Sequence, residues 1–120
     1  LGTNDCKALF GNSSRDILGG VAGLLTIAQD PDLQSRHEGF KIVLVAPPPI
    51  LVTGCLSLSF YGADKLSKQL SSLYSEIAAH RGVEFFDAGQ VINGVVRRQC
   101  DWVVNETVFM ALHLHHVADL

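Results

Sequence analysis

The chain reads as an α/β fold of parallel strands joined by helices, and three stretches carry that reading. Residues 41–46, Lys-Ile-Val-Leu-Val-Ala, run apolar without polar alternation after Lys41, the mark of a parallel strand buried on both faces. Helical periodicity appears before this strand, over 14–29, and again after it, over 63–80. A second short run, Val83-Glu84-Phe85-Phe86, follows the later helix, so strand, helix and strand alternate as in a βαβ unit. The 120 residues are 48% hydrophobic and 18% charged. Such a chain is long enough for one core and too apolar for disorder.

Each element has a local cause. Ser13, with Asp16 three residues on, makes a capping-box start, and Ile17, Val21, Leu24 and Ala28 then recur on one helical face. Gly19, Gly20 and Gly23 interrupt this helix at a cost of about 1 kcal/mol each relative to Ala, so it depends on packing, with a close approach to the sheet as the use of its small residues. Asp30-Pro31 ends it. Residues 31–40, PDLQSRHEGF, are polar and turn-like, which predicts a surface loop with His37 between Arg36 and Glu38. Pro47, Pro48 and Pro49 stop the first strand, because proline lacks the N–H that a ladder requires. The apolar segment 50–62 is broken by Gly54 and predicts no regular structure. In the second helix Leu66, Leu70, Leu73 and Ile77 form a stripe. His80 and Arg81 suit the helix dipole at its end, and Gly82 suits the C-terminal cap, so His80 reads as a cap residue. Asp87 falls at the carboxyl end of the last strand, where a carboxylate could orient a His. Further on, Asn105 caps a final helix with Val108, Phe109, Leu112, His116 and Leu120 loosely on one side, and Trp102-Val103-Val104 reads as a short strand or apolar patch.

The chemistry is concentrated at the start. Leu1-Gly2-Thr3-Asn4-Asp5 contains a Gly-x-Asn-Asp turn of the kind that ends an apolar strand, although most of such a strand is missing here. An Asn carboxamide offers two N–H donors, and a glycine two residues earlier allows a sharp turn or a close approach to a substrate. A donor fixed there stabilises the charge that develops on a tetrahedral intermediate. The plainer alternative is that Asn4 and Asp5 cap a loop through Asx-type bonds. In open α/β sheets the ligand crevice lies outside the carboxyl ends of the strands. Asp5 and Pro47 both fall at such ends, which makes that edge the candidate site.

LGTNDCKALFG, the Ser-led helix, KIVLVAPPPI, the long amphipathic helix and VEFFDAGQVI together resemble the SGNH (GDSL-type) hydrolases, in particular their arylesterase and acyltransferase branch. The likeness covers residues 1–92 and implies part of a flavodoxin-like three-layer sandwich. It also implies that Asn4 is the oxyanion donor, with Gly2 and Asp5 completing its motif, and that Asp87 is a structural turn residue. In that family the nucleophilic Ser stands in an earlier block, a second-block Gly shares the oxyanion hole, and an Asp-x-x-His pair near the C-terminus supplies the base. The first two blocks have no counterpart here, so the chain reads as the C-terminal portion of a larger domain.

Residues 93–120 read as a divergent segment, because they contain no Asp-x-x-His. Asp101 with His113, or with His115 or His116, is the available substitute for the acid–base pair. The plainer reading of those histidines is packing or exposure without a role. Where the resembling enzymes carry a variable loop over the acyl pocket, Leu56, Leu58, Phe60 and Tyr61, with Pro47, become candidate substrate contacts. The same loop reads equally as packing on the body or as an oligomer contact.

Other classes are excluded or left open. The formal charge of −3 and the lack of a Lys/Arg stripe argue against nucleic acid. No apolar run reaches the length of a membrane span. The compartment, cytoplasmic or secreted, stays undetermined. Cys6, Cys55 and Cys100 are odd in number and far apart, which suits reduced thiols rather than a disulfide framework. Cys6 reads as a buried residue in preference to a nucleophile. His113, His115 and His116 are spaced i, i+2 and i+3, whereas helical zinc pairs use i and i+4, so neither metal nor other cofactor is expected. The functional expectation is part of a serine esterase or acyltransferase acting on small-molecule carboxylic esters, inactive by itself. The alternative is a non-enzymatic α/β interaction module that binds a partner or another copy through a strand edge and the 50–61 loop.

Overall fold

The computed structural model describes residues 1–52 and 57–92. The readings made for 93–120, including Asp101, His113 and the final helix, and for Leu56 lie outside the described residues. After a single 3-10 turn at Asn4–Cys6 and another at Ala8–Phe10 come α1 (Ser14–Ala28), α2 (Pro31–Arg36), β1 (Val43–Ala46), α3 (Ala63–Arg81), β2 (Glu84–Asp87) and α4 (Gly89–Ile92). β1 and β2 are parallel, in a register that pairs Val43 with Glu84 and Ala46 with Asp87, and α3 crosses between them. The architecture is the expected α/β type.

A strand sends alternate residues to its two neighbours, and β1 does so. The carbonyls of Ile42 and Ala46 accept from the amides of Glu84 and Ala88 on one side. The Val45 carbonyl faces the other side and accepts from the Leu1 amine at 3.5 Å. The start of the chain therefore lies along the β1 edge opposite β2, and this contact sets where the Gly2–Asn4 turn begins.

The α1 start has the expected cap. The Ser13 hydroxyl accepts from the Asp16 amide at 3.2 Å, and the Asp16 carboxylate accepts from the Ser13 amide at 2.8 Å. These bonds hold the Asp16 carboxyl below its ordinary value, the backbone N–H of Ser13 being the larger cause. Its buried face is Ile17, Val21 and Leu25, not the Leu24 and Ala28 continuation expected from sequence. Leu24 is 53% exposed. Strict i, i+4, i+8 spacing carries the buried line into the core. Nor do Gly19, Gly20 and Gly23 serve a close approach to the sheet. A Cβ at any of them would meet nothing within 4 Å.

The loop expected at 31–40 is instead a short helix up to Arg36. The Asp30 carboxylate accepts from the Leu33 amide at 3.1 Å, and Pro31 stands at the first helical position. Asp-Pro thus ends one helix and starts the next. Proline suits an N1 position, where its missing N–H costs nothing.

α3 also buries a different line from the leucine stripe expected for it. Ala63, Ser67, Leu70, Tyr74 and Ala78 face inward, while Leu66 and Ile77 are only partly buried beside that line. Small Ala and Ser side chains let the helix axis come close to β1 and β2, and the larger leucines take the flank. Its C-terminus ends as expected, with Gly82 left-handed at φ 67°. Arg81 donates to the Thr26 hydroxyl and Gln29 donates to the Arg81 carbonyl, which ties the far ends of α1 and α3 together. Among the described residues no helix is long and apolar enough to cross a membrane.

Candidate active site

Leu1, laid beside β1, delivers Gly2 in a conformation with φ 105°. Two constraints select glycine here. Side-chain-bearing residues avoid that φ, and a Cβ would overlap the hydroxyl of Tyr74 and stand 3.3 Å from Leu70 Cδ1. Thr3 follows, buried and helical in conformation. The chain then makes its 3-10 turn, with the Cys6 amide donating to the Thr3 carbonyl at 3.1 Å and the Lys7 amide to the Asn4 carbonyl at 3.2 Å.

Side chains brace this turn from separate directions. The buried Cys6 thiol donates to the Gly2 carbonyl at 3.4 Å. Asn12 Nδ2 donates to the Asp5 carbonyl at 3.1 Å. From the middle of α3, Tyr74 Oη donates to the Leu1 carbonyl at 3.1 Å. Tyr74 has no exposed surface. Burial pushes its phenol above the ordinary range, and the Asp5 carboxylate and Cys6 push the same way. It therefore remains a neutral donor.

The backbone of residues 1–6 is thus fixed, while the side chain of Asn4 is exposed. Among the described residues the Asn4 carboxamide makes no hydrogen bond. It is not consumed by the Asx-type loop bonding that was the plainer reading of the pair. Asp5 is also exposed and lines a depression of about 390 Å³ with Gly2, Asn12, Asp16, Ile17 and Tyr74.

The carboxyl ends of β1 and β2 meet at a second cluster. Pro47, the residue after β1, is buried. Asp87, opposite Ala46, accepts from the Ser71 hydroxyl at 2.7 Å and from the Gly89 amide at 3.0 Å, so it holds a turn, as the family resemblance implied. A Cβ on Gly89 would lie 3.0 Å from Pro49 Cδ and 3.5 Å from Pro48 Cα, and the proline loop therefore seats on the start of α4.

The remaining candidates scatter. Phe60, read as a substrate contact, has no exposed surface and belongs to the core. The Lys7 ammonium sits 5.8 Å from the centroid of its ring, within cation–π range. Leu58 and Tyr61 are exposed at 87% and 78%. His80 lies exposed in the last turn of α3, and His37 packs edge-on against Phe40 with ring centroids 6.1 Å apart. Cys6 is buried and engaged with the backbone, in keeping with a structural role. Sequence reasoning missed Tyr74 and Asn12. The signal for Tyr74 was a lone tyrosine next to a leucine stripe, since a buried tyrosine hydroxyl needs a partner.

No protein-family model and no curated protein sequence matches the chain. Solved structures do. A carbohydrate acetylesterase from Sinorhizobium meliloti is 33% identical, with a TM-score of 0.67 over 75% of this chain. The native aryl esterase of M. smegmatis is also 33% identical over 75% of this chain, with a TM-score of 0.66. A carbohydrate acetylesterase family member from S. meliloti, 29% identical, superposes with a TM-score of 0.67. The chain spans 44% of the length of each of these structures.

Proposed function

We infer that this chain, which belongs to the SGNH (GDSL-type) esterase family by its fold and its likeness to those structures, builds the oxyanion-binding edge of a serine esterase. Asn4 is the donor. Its amide N–H groups meet the oxygen that turns negative when a serine attacks an ester carbonyl, and that charge is where a preoriented donor lowers the barrier. The observation that carries the reading is the contrast within one turn: Gly2, Asp5 and Cys6 have carbonyls or side chains bonded locally, whereas the Asn4 carboxamide is exposed and unengaged among the described residues.

The substrate class is a short acyl ester of a carbohydrate or aryl alcohol, a reading supported by what the similar structures are named for. In the reaction the serine adds to the carbonyl, a histidine takes the serine proton and passes it to the leaving oxygen, and the alcohol departs to give an acyl-enzyme. Water or an acceptor alcohol then releases the acyl group. Serine nucleophile and Asp-x-x-His pair are supplied by sequence other than these 120 residues, which contain no Asp-x-x-His.

The assay is hydrolysis of p-nitrophenyl acetate. The 120 residues alone give no turnover, and a polypeptide that adds the family's upstream Gly-Asp-Ser block and its Asp-x-x-His segment does. In that longer polypeptide Asn4→Ala lowers kcat by about 10²–10³ with the fold intact. Undiminished kcat in Asn4→Ala overturns the donor role. Turnover by the 120 residues that Asn4→Ala abolishes overturns their dependence on an outside nucleophile.

A further inference from the structure

The oxyanion reading leaves unexplained how a donor on a glycine-hinged turn keeps its direction. Catalytic donors need to be held to within about 0.5 Å and 10–20° of their productive geometry. Gly2, two residues before Asn4, is the least restrained residue type in the chain, and Asn4 itself is tied down only through its backbone. Something must stop rotation at the hinge.

Tyr74 stands at that point. It projects from the midpoint of α3, the helix that packs on β1, β2 and α1, and it is among the largest fully buried side chains. Its hydroxyl reaches across 73 positions of sequence to the Leu1 carbonyl and fills the space that any Cβ on Gly2 would need. The ring thus closes over the hinge on one side, and the Cys6 thiol holds the Gly2 carbonyl.

We propose that Tyr74 is a positioning residue for the Asn4 turn, its hydroxyl fixing the Leu1–Gly2 peptide and with it the direction in which the Asn4 carboxamide leaves the backbone. This rests on the reading of Asn4 as the oxyanion donor. Burial and the Asp5 carboxylate keep the phenol protonated, so the donor persists across the working pH range of an esterase. Phenylalanine at 74 keeps the packing and removes only the bond.

Amide hydrogen exchange on the full chain tests the anchoring. In Tyr74→Phe the Cys6 and Lys7 amides, which close the Asn4 turn, exchange about fivefold faster, the loss of one hydrogen bond. The Val21 and Leu25 amides of α1 keep their rates. A uniform acceleration through α1, or no change at Cys6 and Lys7, overturns the proposal. A double-mutant cycle gives an independent measure: Gly2→Ala destabilises less in the Tyr74→Phe background than in the native one, and equal costs overturn the close fit.

The kinetic arm uses the longer esterase polypeptide. There Tyr74→Phe lowers kcat about fivefold while KM holds, and unchanged kcat overturns a role in positioning the donor. If Asn4→Ala leaves kcat unchanged while Tyr74→Phe still loosens the turn, the donor reading fails and Tyr74 stands only as the anchor of the turn.

Discussion

Gly2 and Tyr74 compete for the same space: a methyl group on Gly2 would overlap the Tyr74 hydroxyl, at a backbone φ of 105° that side-chain-bearing residues avoid. A residue near the start of the chain and one in the middle of α3 are thereby made to fit each other. Gly2→Ala should lower stability by about 1–3 kcal/mol, the scale of local backbone strain. Urea unfolding followed by circular dichroism checks this, as a fall in midpoint with an unchanged slope. An unaltered midpoint would mean that the turn relaxes without loss.

The buried phenol makes stability depend on alkaline pH. Tyr74 is raised in the folded chain, by burial first and by Asp5 and Cys6 next. Above the ordinary tyrosine value of about 10 the unfolded state releases this proton while the folded state retains it. The unfolded state then binds fewer protons, so unfolding free energy falls as pH rises. Comparing chemical denaturation of the native chain and Tyr74→Phe between pH 9 and 11, on the order of one unit either side of that value, should show a steeper alkaline loss in the native chain. Parallel curves would contradict the assignment.

Ser13 starts α1 by accepting from the Asp16 amide while Asp16 accepts in return. Ser13→Ala removes one half of this exchange and should cost about 1 kcal/mol. Thermal unfolding reads it as a lower Tm. The lowered Asp16 carboxyl adds a sign: this contribution is present above the ordinary aspartate value and disappears as pH falls through the lowered folded one. Because the Ser13 backbone N–H is the larger cause and survives in Ser13→Ala, that variant should keep most of this acid-dependent loss, whereas Asp16→Asn should remove it.

Cys6 is 2% exposed and donates to the Gly2 carbonyl, so its thiol is closed to reagents in the folded chain. Peptide-resolved iodoacetamide labelling should modify Cys6 slowly in native buffer and quickly in urea. Equal rates in the two conditions would place the thiol at the surface and revive it as a candidate nucleophile.

Much of the fold was legible because its signals are local. A capping box needs only Ser13 and Asp16, the all-apolar run from Ile42 to Ala46 marks a buried parallel strand, and Gly82 ends a helix wherever it packs. The candidate turn was legible for the same reason: Gly2 and Asn4 lie within one pentapeptide. What escaped were matters of facing. Leu24 and Leu25 are equally apolar neighbours, and only the packing of α1 onto the core decides that Leu25 is inside. In α3 the leucines read as the core line, yet the close approach of the sheet favours Ala63, Ser67 and Ala78 there. Phe60 read as a pocket wall because nothing in its neighbourhood says that the core reaches it.

From its sequence alone the chain was bound to make parallel strands joined by helices and to carry a glycine-hinged Asn turn, since periodicity, caps and proline breaks act over a few residues. Only the assembled fold decided that the turn is braced by Tyr74, Cys6 and Asn12 while the Asn4 carboxamide is left exposed. The Tyr74 contact spans 73 positions. A contact of that range arises from the packing of α3 on the sheet, which no local pattern of residues encodes.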